Sequence, residues 1–266
     1  MAYAALVRCP YSHAKVLSID VSEAEKVPGF LGCALPEEAP QAYFNCSGNP
    51  PSPLLMADEK VLTTEPLTIG EHSTSRAGVC EDDVVFILGT GTIGTIIAQA
   101  CKLKGAKTVI CCDISDSSLE RSKQFGADYT VNSKTQDIVA EVQKITNGHG
   151  CTVAFDSACF PGSLTMIMQP GIVCNAGRVV PMGFCTVPEK ITQQMINGRE
   201  LTICGTRMSL NQWVPTAQKM AEGKYHMEGL ATTFVKFSEI EKVFDNIVHP
   251  DPAVKKTVIL FDGAED

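Results

Sequence analysis

Apolar residues gather in short blocks along residues 63–261, and polar stretches of helical period separate them. VVFIL at 84–88 and TVICC at 108–112 are apolar at successive positions, so both faces of each strand are buried. The spacing predicts strands over 83–88, 108–112, 129–131, 152–155, 178–182, 201–204, 230–234 and 256–261. It predicts helices over 66–77 with Pro66 at the first helical position, 92–104, 116–125, 135–146, 163–168, 189–196, 214–222 and 238–247. Gly105 and Gly126 stand where helices end. Strands that alternate with helices in this way imply an α/β fold, a doubly wound parallel sheet covered on both sides. Ahead of it the chain reads differently. Residues 1–36 predict a small α+β fragment, with strands at 3–8 and 15–20 and a helix at 22–27 capped by Ser22. Residues 37–62, rich in Pro, Gly, Asn and Ser, read as a linker.

The chain has 266 residues, 44% hydrophobic and 20% charged, with a formal net charge of −8. The acidic balance argues against nucleic acid or an anionic membrane surface as a partner. No apolar run reaches membrane-spanning length, and the N-terminus lacks a secretory pattern, so a cytoplasmic location is expected. The twelve cysteines include no Cys-x-x-Cys pair and several lie inside apolar runs. They are expected to be buried, reduced thiols.

The chemistry concentrates at Gly89-Thr90-Gly91-Thr92-Ile93-Gly94. This is G-x-G-x-x-G between a buried strand and a helix, and Asp113 closes the next strand at the fingerprint's spacing. Gly89 would permit the tight turn, Gly91 the approach of a pyrophosphate to backbone, and Gly94 close helix–strand packing. Unpaired amides at the helix start favour phosphate charge. Asp113 would accept from both ribose hydroxyls and repel a 2′-phosphate, which favours NAD over NADP. The plainer reading is a tight βα turn with no ligand. The cofactor-binding set is Gly89, Thr90, Gly91, Thr92, Ile93 (packed beneath the turn), Gly94, Asp113 and Ser157. Ser157 has no evident His-Asp partner, which argues against hydrolase chemistry.

Residues 63–261 resemble the zinc-type medium-chain alcohol and polyol dehydrogenases. TTEPLTIGEHSTSRAGVCEDDVVFILGTGTIGTIIAQACKLKGAKTVICCDIS looks like their junction helix and first βαβ unit. SKQFGADYTVN, CTVAFDSAC, GRVVPMGF, LTICGTRMS and FVKFSEIEKVFDNI with KKTVILF look like later elements. The resemblance implies a Rossmann dinucleotide-binding domain at 63–206 and a return segment at 207–266. It implies NAD-linked hydride transfer to and from an alcohol or polyol, a catalytic zinc, and a homodimer through an edge strand. It assigns Glu65 and Arg207 to the chemical side. Glu65 matches a glutamate that approaches the zinc. Arg207 matches an arginine near cofactor or substrate, and an exposed basic residue is the equal alternative. The usual early zinc ligands are not found ahead of residue 63, and Gly70-Glu71-His72 is not their His-Glu pair. One carboxylate does not hold zinc, since catalytic sites use three protein ligands.

YAALVRCPYSHAKVLSIDVSEAEKVPGFLG, in residues 1–36, resembles the start of the a/b-hammerhead domain of molybdenum hydroxylases. Ile19, Asp20, Ser22 and Ala24 match well, and Arg8, Pro10, His13 and Ala14 loosely. The chain therefore reads as a fusion of two truncated pieces. The expected function is NAD(H) binding with weak or absent zinc-dependent alcohol oxidation. A non-catalytic NAD-binding or structural module and a fragment of a molybdenum hydroxylase subunit are the alternatives. Asp156, at a strand's carboxyl end, is either a ligand-side residue or a cap. His13, His149, His226 and His249 are expected at the surface without pairing. Without a companion domain, apolar surface after Arg207 is expected to be exposed unless residues 1–60 or a second subunit cover it.

Overall fold

The structure is a computed structural model that describes residues 22–26, 43–44, 52–53, 64–249, 251 and 254–260. The predicted strands at 3–8 and 15–20, and most of the hammerhead-like stretch, lie outside these. At the front stand α1 (Ser22–Glu25), within the predicted 22–27 helix, and β1 (Tyr43–Phe44) paired antiparallel with β2 (Ser52–Pro53).

From residue 64 the elements alternate. They run α2 (Thr64–Arg76), β3 (Val84–Leu88), α3 (Thr92–Leu103), β4 (Thr108–Asp113), α4 (Asp116–Gln124), β5 (Tyr129–Asn132), α5 (Ile138–Ile145), β6 (Cys151–Asp156), α6 (Ser163–Ile167), β7 (Val173–Pro181), α7 (Gln193–Asn197) and β8 (Thr202–Ile203). After them come α8 (Trp213–Ala221), β9 (Thr233–Lys236), α9 (Glu241–Val248) and β10 (Thr257–Leu260). Six strands form one parallel sheet in the order β5-β4-β3-β6-β7-β8. This is the doubly wound order, with its switch point beside β3. β9 and β10 form a separate parallel pair.

Burial on both faces follows from strand geometry, because successive side chains point to opposite sides. Phe86, Ile110, Val131, Ala154 and Val179 build one apolar layer with Val142, Ile167, Ile172 and Leu201. Val85, Ile87, Val109, Cys111, Val153, Phe155 and Val180 build the other, against Ile97, Ala98 and Cys101 of α3. The cysteines within these layers behave as small hydrophobes. Burial pushes the Cys111 and Cys112 thiols up to about 12.

Several element boundaries differ from the sequence expectation. β7 starts at Val173, not Arg178. A register shift against β6, with Ala176 at φ 56°, lets residues that read as a turn join the sheet. α5 starts at Ile138 because the Asp137 carboxylate caps the Ala140 N–H at 2.9 Å. β9 covers 233–236 rather than 230–234, since Leu230 is buried between helices with Leu67, Ile96 and Phe125. Pro66 stands third in α2, not first. The predicted 189–196 helix shortens to α7, which the Thr192 hydroxyl caps.

Two buried carboxylates tie the layers together. Asp83 accepts from Arg178, from the Thr152 hydroxyl at 2.6 Å and from the Cys80 N–H at 2.9 Å. Glu71 of α2 accepts from Lys219 of α8 at 2.7 Å and from the Tyr225 phenol, and Lys104 stands 3.6 Å away. Burial would raise the Glu71 pKa. The bonds from Lys219 and Tyr225 and the two lysine charges outweigh that and hold it below the ordinary range. A lowered folded-state pKa gives stability that is full above the unfolded value near 4.5 and is lost as pH falls through the folded value. Glu71→Gln should therefore destabilise the protein at pH 7 and flatten its loss of stability below about pH 4.5, as read from urea unfolding midpoints against pH.

Candidate functional site

The site lies where β3 passes into α3. Gly89 sits at φ 89°, and a Cβ there would come within 2.9 Å of the Ala158 N. A Cβ on Gly94 would lie 1.9 Å from the Gly89 carbonyl oxygen and 2.8 Å from Ser157 Oγ. Helix and strand therefore meet at backbone contact, which only glycine allows. Gly91 differs, because a Cβ there would meet nothing within 4 Å. It is the N-cap of α3, and no side chain caps the helix. The turn thus presents open space at an N-cap that no side chain occupies, and a helix N-terminus left open in this way can accept a phosphate.

Asp113, at the end of β4, points to this turn. Its Oδ2 accepts from the Thr90 N–H at 2.7 Å and the Thr90 hydroxyl at 2.9 Å, and its Oδ1 accepts from the Ser115 N–H at 3.0 Å. A carboxylate offers about four acceptor positions, so about one stays open on Oδ1. Gripping both ribose hydroxyls requires the Thr90 hydroxyl to turn away. Thr90 itself is fully buried.

Other expected residues take supporting positions. The Ser157 hydroxyl reaches the carbonyls of Leu88 at 2.9 Å and Gly89 at 2.8 Å, so it holds the turn from beneath. The Thr92 hydroxyl donates to the Lys255 carbonyl at 3.0 Å, which joins the helix start to the end of the chain. Ile93 is half-buried and packs against the apolar layer beneath α3. Glu65 is exposed in the first turn of α2. Arg207 is exposed and lies 5.0 Å over the ring of Phe184, itself exposed. Glu65 and Arg207 make no hydrogen bond or ion pair with each other, and Arg76, which touches Gly205, lies about 16 Å along α2 from Glu65.

Asp156 acts as a cap. Its oxygens accept from the Cys159 N–H at 3.0 Å and the Ser163 hydroxyl at 2.6 Å. His149, His226 and His249 are exposed as expected, but two of them do pair. His249 stands 3.4 Å from Asp245, and His226 tilts against Phe125 with ring centroids 5.1 Å apart. His13 lies outside the described residues. The sequence reading missed Arg121, whose guanidinium reaches the Thr90 carbonyl. It carries no motif signal, because its link to the turn is made only by the packing of α4.

Residues 92–222 match the family described as zinc-binding dehydrogenase. The chain is 28% identical over 198 residues to (R,R)-butanediol dehydrogenase of Neisseria gonorrhoeae, across 73% of this chain and 55% of that protein. It is 29% identical over 208 residues to sorbitol dehydrogenase 1 of Saccharomyces cerevisiae, across 75% of this chain and 58% of that protein. A crystal structure of an Escherichia coli alcohol dehydrogenase, RspB, complexed with the cofactor NADH superposes with a TM-score of 0.69 at 29% identity. That match covers 79% of this chain and 61% of the other. Over its C-terminal portion this chain is zinc-type alcohol dehydrogenase-like. It spans little more than half the length of the curated relatives it matches.

The dehydrogenase-like portion suits a dinucleotide, given the open space over Gly91 and the Asp113 carboxylate beside it. Among the described residues no group of three or more His, Cys, Asp or Glu side chains could hold a metal ion. The glycines make a paired prediction. Gly94→Ala should destabilise the fold by about 2 kcal/mol or more, through overpacking against backbone. Gly91→Ala should stay within about 0.5 kcal/mol of the parent. Urea unfolding of both variants checks this.

Proposed function

We propose that the dehydrogenase-like portion, the predicted Rossmann domain at 63–206 with its return segment at 207–266, binds NAD(H) for oxidoreduction of a small alcohol or polyol. The observation that carries this reading is the Asp113 carboxylate held at the glycine turn, beside the open space at Gly91. In the proposed complex the pyrophosphate lies over Gly91 and the start of α3, against its amides and dipole. The open position on Asp113 Oδ1 accepts from an adenosine ribose hydroxyl. The same negative charge opposes a 2′-phosphate, so NADH is preferred to NADPH. Gly89, Gly94, Ile93 and Ser157 shape the turn, and Thr90 and Thr92 fasten it. Bound nicotinamide supplies the hydride chemistry. Glu65 and Arg207 are the residues assigned to the substrate side. A cytoplasmic location and pairing of the exposed edge strand β8 with a second copy complete the proposal. No helix among the described residues is long and apolar enough to cross a membrane.

A second reading is an NAD(H)-binding unit without turnover. The exposed position of Glu65, which makes no hydrogen bond or ion pair with Arg207, favours it. NADH binding without NAD reduction in the presence of butanediol or sorbitol separates it from the first reading. A chelator-sensitive reduction would decide for the enzyme.

Asp113→Ser tests both readings at the cofactor. It should weaken NADH binding about ten- to a hundredfold, the worth of a hydrogen bond to a charged group, while NADPH gains relative to NADH. Isothermal titration with each nucleotide measures this. Equal affinity of parent and variant for NADH would remove Asp113 from the site, and no binding by the parent would end the proposal.

A further inference from the structure

Arg121 projects from α4, half-buried, and spans three parts of the protein. Its Nη2 lies 3.3 Å from the Thr90 carbonyl oxygen and 3.3 Å from the Thr95 hydroxyl. Its Nη1 donates to the Gly229 carbonyl at 3.2 Å, in the return segment. The guanidinium stands 5.9 Å over the Phe125 ring. Its Nε is buried with no partner. Burying a guanidinium with a donor left unsatisfied is costly. What the arrangement gains is orientation.

That orientation concerns one peptide group. The Thr90 carbonyl and the Gly91 N–H belong to the same planar trans unit, so they point in opposite directions. Arg121, with the Thr95 hydroxyl at 3.2 Å, holds the carbonyl inward. The Gly91 N–H is thereby directed away from Arg121, and Gly91 itself is exposed, with open space where a Cβ would stand. No protein acceptor among the described residues takes this N–H. On the other side of Thr90, its N–H and hydroxyl are fastened to Asp113. Thr90 is thus held between an anion and a cation, and one rotation of its peptide would replace an outward N–H with an outward carbonyl that repels phosphate.

We propose that Arg121 is a positioning residue for the dinucleotide turn, holding the Thr90–Gly91 peptide so that the Gly91 N–H faces the pyrophosphate. This rests on the proposed NAD(H) binding and adds a determinant outside the glycine motif. Arg121 acts through the peptide and does not touch the phosphate.

The test uses the full chain and competition against NADH fluorescence with NADH, ADP and adenosine. Arg121→Met should weaken NADH and ADP about tenfold, the worth of one oriented hydrogen bond to a charged group, and leave adenosine within about twofold. Arg121→Lys keeps a cation that can reach one carbonyl and should restore part of the loss. It also serves if the methionine variant unfolds, which circular dichroism reports. Unchanged NADH affinity in Arg121→Met, or an equal loss for adenosine and ADP, would overturn the proposal. If the parent chain binds no NADH, the proposed function fails and this inference falls with it. Parent binding with an unaffected variant overturns the inference alone.

Discussion

The contact between Gly94 and the Gly89 carbonyl is the constraint on which the rest depends. No side chain fits there, so α3 begins directly against the end of β3. The helix N-terminus is thereby set at the carboxyl edge of the sheet, at the point where strand order reverses. Neighbouring strands then hold the turn from both sides. β6 leads into Ser157, whose hydroxyl binds the last carbonyls of β3, and β4 ends in Asp113, which binds Thr90. The turn is fixed by the sheet's topology, not by its own six residues alone.

A preformed turn has thermodynamic meaning. A flexible glycine loop would lose conformational entropy when a ligand ordered it, and a loop already held loses less. The arrangement also has a cost. Asp113 is largely occupied by the turn it helps to hold, so in the proposed complex a second ribose hydroxyl would compete with Thr90 for the same carboxylate. The structural role of Asp113 and the binding role proposed for it would then meet on one side chain.

The sequence made the turn legible because its chemistry is local. Strand, glycines, helix and Asp113 lie within 30 residues, and their order carries the meaning. The two-sided burial of 84–88 and 108–112 was equally legible, since unbroken apolar runs admit few other arrangements. Arg121 was not, because its partners Thr90 and Gly229 are 31 and 108 residues away and no spacing rule links them. The roles of Ser157 and Asp156 were half legible. Their place at the end of β6 was readable, but whether they face a ligand or hold backbone depends on rotamers that sequence does not encode. β9 was misplaced for a related reason. Leu230 reads as a strand residue by its neighbours, yet the packing of helices α2 and α3 claims it.

The return segment joins the glycine turn to a set of exposed apolar side chains. Phe244, Ile247 and Val248 recur at helical spacing on one side of α9, and all three are exposed, as are Phe234 and Phe237 earlier in the segment. The expectation of apolar surface after Arg207 is met there. A two-stranded pair such as β9–β10 has little stability by itself. What anchors this segment is its bonding to the turn and to α3. Lys255 accepts from Thr92, Gly229 accepts from Arg121, and His226 exchanges two hydrogen bonds with Gln99. The segment that carries the apolar face is therefore the same one that fastens the start of α3. The bonds that hold the segment are thus also bonds to the start of α3 and to α4.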